Sequence, residues 1–218
     1  MDQPTIQARV NRGNAIAARF LGATFNQYRP ASVSNPIAGA PRATLKAAFD
    51  ADPQFSFKAP SGYGKAIYYG LFDGTGVAVG DYFTNTAQGV FFAAGYEPVK
   101  PWLCVQCNRT ITITRPNPVS AVGLSPTYGG RTAATETPLL TAWPASVLQG
   151  TKGEQAPASG RLPADVRLPA WLILLPAYPG VILHSADRIT DEIGRAYTIS
   201  SAEQSSLGWR VTAVQSET

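Results

Sequence analysis

Lys65 to Thr114 reads KAIYYGLFDGTGVAVGDYFTNTAQGVFFAAGYEPVKPWLCVQCNRTITIT, and its apolar residues recur largely with a period of two. That period puts successive side chains on opposite faces of an extended chain, one face inward and one outward. KAIYYGLF, DGTG and VAVGDYF are expected as strand, turn and strand, because Asp-Gly between apolar runs favours a hairpin. Gly89 to Ala94 and Trp102 to Val105 supply shorter strands. TITIT (Thr110 to Thr114) supplies another, with isoleucines inward and threonines outward.

On the C-terminal side, Pro116 and Pro118 interrupt, and residues 117–136 carry Pro, Gly, Ser and Thr with little apolar content. A linker is expected there. Strand character resumes at Pro138–Leu148 and returns at Ala170–Leu175, Val181–Leu183, Ala196–Ser200 and Gly208–Val214, with Asp191 to Arg195 as a tight turn. Residues 149–161, QGTKGEQAPASGR, form a long polar loop holding Lys152 and Glu154. With no core to bury, it is expected to order against a neighbouring subunit.

On the N-terminal side, residues 31–64 read as irregular connection with one short helical candidate, Ala43 to Phe49. Residues 4–26 have helical period: Ile6, Val10, Gly13, Ala17, Phe20 and Leu21 share one face, flanked by Arg9, Arg12 and Arg19. Pro4 suits a first turn, and the residue before Pro30 marks a stop. The stripe needs a partner. Either the helix packs on its own β unit, or it is an arm reaching another protein, its arginines pairing with acidic groups or DNA phosphates.

The expected fold is therefore mainly β: an N-terminal amphipathic arm (1–30), a first β domain (31–116), a linker (117–136) and a second β-barrel domain (137–218), the units being small antiparallel barrels or sandwiches. A loose internal echo runs from Gly80-Asp81-Tyr82-Phe83 with Val90–Ala94 to Gly194-Arg195-Ala196-Tyr197 with Trp209–Val214. Shared hairpin grammar accounts for it more simply than duplication.

Composition points the same way. Among 218 residues, 20 Gly and 18 Pro mark many turns, while 15% charged residues is low for a soluble domain and suits a surface covered by neighbours. Residues 1–118 hold eleven Lys/Arg against six Asp/Glu, and residues 119–218 hold seven against eight. This is too diffuse for a nucleic-acid reader, though a basic half is compatible with non-specific contact with DNA in a channel. No apolar run approaches a membrane span, and MDQPTIQARV is not a signal peptide, so no membrane contact and cytoplasmic synthesis are expected.

No catalytic constellation stands out. His184 is the only histidine, and no Gly-x-Ser-x-Gly elbow accompanies Ser185 and Asp187. Cys104 and Cys107 form one Cys-x-x-Cys pair without further ligands, so structural thiols without metal are expected. Asp191 and Glu192 are adjacent on a turn and read as a solvated tip. Neither catalytic residue, metal nor cofactor is expected.

Leu168 to Val214, LPAWLILLPAYPGVILHSADRITDEIGRAYTISSAEQSSLGWRVTAV, resembles the small β-barrel head-closure or stopper proteins of tailed-phage head–tail junctions. Asp187, Ile189, Asp191, Gly194, Tyr197, Leu207, Gly208, Trp209 and Arg210 carry the outline, and Gly80 to Pro116 is similar to reading frames of phage structural gene clusters. The chain departs from the pattern in length, since simple stoppers lack the helical arm and first β unit. The resemblance implies a non-enzymatic virion protein of the neck, collar or tail hub. Its implied partners are copies of itself in a homo-oligomeric ring, portal, adaptor or tail proteins, and packaged DNA through non-specific contact. The expected interface residues are Ile6, Val10, Phe20, Leu21, Arg9, Arg12, Arg19, Lys152, Glu154 and Trp209. The alternatives are a carbohydrate- or surface-binding β module of a phage tail and, further off, a β-barrel hydrolase with only His184 to use.

Overall fold

A computed structural model describes residues 2–55, 65–116, 136–150 and 170–216. The chain is one helix followed by two six-stranded closed antiparallel β-barrels. Helix α1 (Gln3–Leu21) leads into the first barrel, made of β1 (Ala23–Tyr28), β2 (Ala43–Asp50), β3 (Ile67–Phe72), β4 (Tyr82–Asn85), β5 (Gly89–Gly95) and β6 (Trp102–Cys107). The second contains β7 (Arg109–Pro116), β8 (Glu136–Gln149), β9 (Ala170–Leu175), β10 (Arg188–Asp191), β11 (Ala196–Ser205) and β12 (Gly208–Ser216).

The strand order is β1-β2-β3-β6-β5-β4 in the first barrel and β7-β8-β9-β12-β11-β10 in the second, which is the same path twice. The register repeats as well. Phe25 faces Leu45 as Ile111 faces Trp143, and Tyr68 faces Cys104 as Trp171 faces Ala213. Phe83 faces Phe91 as Ile189 faces Tyr197. Even the bulge recurs, between Ala93 and Gly95 in β5 and between Ile199 and Ser201 in β11. The echo expected at Gly194–Tyr197 is therefore misaligned. The counterpart of Gly80–Phe83 is Ala186–Ile189, and the likeness is a repeated barrel, beyond hairpin grammar.

Several expected boundaries are corrected by this topology. The helix ends at Leu21, and Phe25 and Gln27 belong to a barrel strand. Gly22 allows the abrupt change: a Cβ there would lie 2.4 Å from the Ala47 carbonyl oxygen. Ala43–Phe49, read as helical, lies in strand β2, since its neighbours in a closed sheet override its helix-forming Ala and Lys. DGTG makes no hairpin, because β3 pairs with β2 and β6 while β4 pairs with β1 and β5. Val181–Leu183 is a loop. TITIT opens the second barrel, so the junction between barrels is Asn108 and not residues 117–136, which connect β7 to β8. Residues 117–135 and 151–169, including Lys152 and Glu154, lie outside the described residues.

Asn108 is a stiff joint. Its backbone N–H donates to the Ala145 carbonyl (3.1 Å), and its side chain both donates to and accepts from the Val147 backbone (2.9 and 2.8 Å). The first barrel is filled with aromatics, among them Phe25, Phe72, Phe83, Phe91 and Trp102. The second is mostly aliphatic: Ile111, Ile113, Leu140, Ile173, Leu175, Ile189 and Val211. Tyr82, Phe92, Ala94 and Val105, on the outer face of the first barrel, pack into that second cluster, while the first barrel's interior forms a cluster of its own.

Candidate assembly surface and the paired Arg–Asp clamps

α1 lies on β2 and β3 of its own barrel. The side it presents there is small and polar: Ala18 is fully buried, Gln7 bonds Asn11 (2.8 Å), and the Val99 N–H donates to the Gln7 side-chain oxygen (2.8 Å). The apolar stripe faces elsewhere. Phe20 is 84% exposed, Leu21 57% and Ile6 38%, while Val10 is half-buried. Ile16, which the sequence reading left out of the stripe, extends it at 48% exposure. Arg9, Arg12 and Arg19 are exposed and form no ion pair with a described residue. Helical period finds the stripe correctly, but it cannot say which face the barrel will take.

Trp209 is corrected. It is 4% exposed in the second barrel's core, with its indole N–H buried and unpartnered, so it is not a surface anchor. Its apolar neighbours hold it in place.

Each barrel is closed by one buried carboxylate whose arginine partner sequence reasoning does not supply. Asp81, just before β4, receives Arg29 Nε and Nη2 at 2.7 Å each, the Gln27 amide at 2.6 Å and the Ala78 N–H at 2.9 Å. Asp187, just before β10, receives Arg115 Nε and Nη2 at 2.8 Å each and the His184 N–H at 2.8 Å. Each arginine also donates to a carbonyl, Gly76 at 2.9 Å or Ile182 at 2.7 Å. The bidentate fork ties the first strand of each barrel to the loop before its fourth, a non-local closure with no signature at sequence level. Bonding to the carboxylates raises the pKa of both guanidiniums further above their usual value.

These contacts decide the chemistry expected of neighbouring groups. Both Asp187 oxygens are engaged, and His184 contributes its backbone N–H while the residue itself is exposed. Asp191 is not a solvated tip. It is buried, accepts the Tyr197 hydroxyl (2.9 Å) and the Arg195 N–H (2.7 Å), and so fixes the β10–β11 turn. Glu192 accepts the Thr110 N–H at 2.7 Å and pairs with Arg109. Cys104 and Cys107 stand three apart on β6, which puts their thiols on opposite faces of the sheet. Burial raises both thiol pKa values. Among the described residues, no group of three or more His, Cys, Asp or Glu is placed to hold a metal ion, and no helix is long and apolar enough to cross a membrane.

No protein-family model matches the chain, and no curated protein or solved structure matches it either.

Proposed function

We propose that the chain is a structural subunit of a tailed-phage virion, working in a homo-oligomeric ring at the head–tail connection or tail hub. The observation that carries an assembly role is the outward stripe of α1. Ile6, Ile16, Phe20 and Leu21 are exposed on a helix already seated on its barrel by its other side. Fully burying a side chain of this size is worth about 1.5–3 kcal/mol, so the stripe favours being covered by another chain. The contact between the barrels supports a ring. Two copies of one barrel meet through unlike faces, the head-to-tail mode from which rings are built. The phage setting rests on the resemblance of Leu168–Val214 to head-closure proteins.

The test leaves the barrel whole, since removing Ala23–Tyr28 would delete β1. Full-length protein and an Ile6→Ser/Phe20→Ser/Leu21→Ser variant are compared by native mass spectrometry, electron microscopy and co-purification with tailed particles. The wild type should form rings and join particles, and the variant should melt alike yet no longer join them. A wild type that stays monomeric and never joins particles would overturn the reading.

A further inference from the structure

We infer that the outward face of α1 docks a helix of another protein whose apolar seam is flanked by Asp or Glu. This rests on the assembly reading above and names the partner's chemistry. The seam is spaced for a helix: Ile6, Val10, Gly13, Ala17 and Phe20 follow one another at intervals of four, three, four and three. That is the spacing by which two helices interlock side chains. The middle of the seam is cut low. Gly13 lies inside the helix, where glycine is less favourable than alanine. A Cβ there would meet nothing within 4 Å, so packing within the chain gives no reason for it. An incoming side chain seated over Gly13 and Ala17 does.

Charge selects the partner's flanks. α1 contains Arg9, Arg12 and Arg19 and no acidic residue, and none of the three is paired with a described residue. A second copy of α1 would bring like charge to like. An acidic-flanked helix supplies the missing counter-charges, which steer encounter and fix register. A membrane surface would also attract arginines, but its grip scales with buried apolar area. Gly13 and Ala17 remove that area from the centre of the seam.

The probes are a designed helical peptide with a leucine seam and glutamate flanks, its lysine-flanked counterpart, and phosphatidylcholine–phosphatidylglycerol vesicles, each titrated against the full chain. Binding to the glutamate peptide should exceed binding to the lysine peptide by about tenfold at low salt, and the gap should close as salt screens the flanks. Arg9→Glu/Arg12→Glu/Arg19→Glu should invert the preference without changing the melting temperature. Gly13→Leu separates the remaining occupants. Filling the notch should weaken peptide binding about tenfold, whereas it would strengthen vesicle binding by adding apolar area. Equal affinity for both peptides, failure of both to bind, vesicle binding that Gly13→Leu enhances, or self-association through this face would each overturn the inference. Particle incorporation does not enter this experiment, so its result and that of the virion reading can fail separately.

Discussion

The two barrels follow one path and one register, yet they differ in what fills them and in what covers them. Phe25, Phe83 and Trp102 in the first stand where Ile111, Ile189 and Val211 stand in the second. On the outer face, Tyr82 and Phe92 are paired across β4 and β5 as Arg188 and Thr198 are across β10 and β11. The first pair is buried under the second barrel. Its counterpart is only half-buried, with Arg188 reaching Glu136 at 3.6 Å. The barrel path therefore does not depend on a particular core residue. What both copies keep is the pattern of inward apolar positions and the Arg–Asp clamp. The outer face is free to vary, and its residues record whether a neighbour sits there.

Exchanging that outer pair is the strongest way to break the comparison. Tyr82 is fully buried, its hydroxyl donates to the Pro144 carbonyl at 2.8 Å, and its ring meets Trp143 edge-on. Tyr82→Arg puts an unpaired charge between the barrels and should cost about 4 kcal/mol or more. Arg188→Tyr gives up one long, partly exposed ion pair and should stay within about 1 kcal/mol. Denaturant midpoints of the two variants measure the difference. Similar costs would mean that the inter-barrel face is not what distinguishes these positions.

The clamps come next, and here the barrels should behave alike. Asp81→Ala removes the acceptor for Arg29, Gln27 and the Ala78 N–H, and Asp187→Ala does the same for Arg115 and the His184 N–H. Losing a buried carboxylate with this many charge-assisted bonds should cost about 3 kcal/mol in each barrel. The first barrel should lose slightly more, because Gln27 is 3% exposed and cannot rehydrate freely. Thermal melts report both, and a clamp worth under about 1 kcal/mol in either barrel would remove it as the shared closure.

These differences also explain what was legible beforehand. Runs such as GVFFAA, TITIT and AWLILL declare strands because a half-buried or buried sheet face needs their β-branched and aromatic side chains. The mainly β class, the helix and its stripe follow from periodicity alone. Sheet closure does not. The start of β1 reads as helix because ATFN continues a tolerable helical spacing, and ATLKAAF is rich in the helix formers Ala, Leu and Lys. Only their pairing partners, distant in sequence, make them strands. The repeat is hidden because equivalent positions such as Tyr82 and Arg188 share no chemistry, and others, such as Trp102 and Val211, share only apolarity. Asp81 and Asp187 do share their chemistry, but a lone aspartate before a strand is not a signal. For the candidate surface, Phe20 and Leu21 were found and Ile16 was missed. Trp209 was misplaced because an aromatic near a chain end carries no mark of which side of a barrel wall it occupies.

The smallest effect is also the cleanest test of equivalence, because it needs no contact to change. Gly80 and Ala186 precede the two clamp aspartates, and both sit in the left-handed region, at φ +90° and +71°. Each N–H donates to the matching carbonyl of the bulged strand, Ala93 or Ile199, at 2.8 Å. Glycine adopts this conformation freely, whereas an L-residue pays roughly 1–2 kcal/mol. A Cβ at Gly80 would meet only Pro176, at an ordinary 3.8 Å, so Gly80→Ala should cost about 1 kcal/mol through backbone conformation and not through a clash. Ala186→Gly should relieve the same strain in the second barrel. Because glycine also loosens the unfolded chain, the net gain should be only about 0.5 kcal/mol. The double variant, with the residues exchanged, should lie within about 0.5 kcal/mol of the sum of the singles, as two independent loops would. Opposite signs for the two singles, read from denaturant midpoints, would establish the positions as one site occurring twice. A loss of stability in Ala186→Gly would show that the second barrel holds this loop by other means.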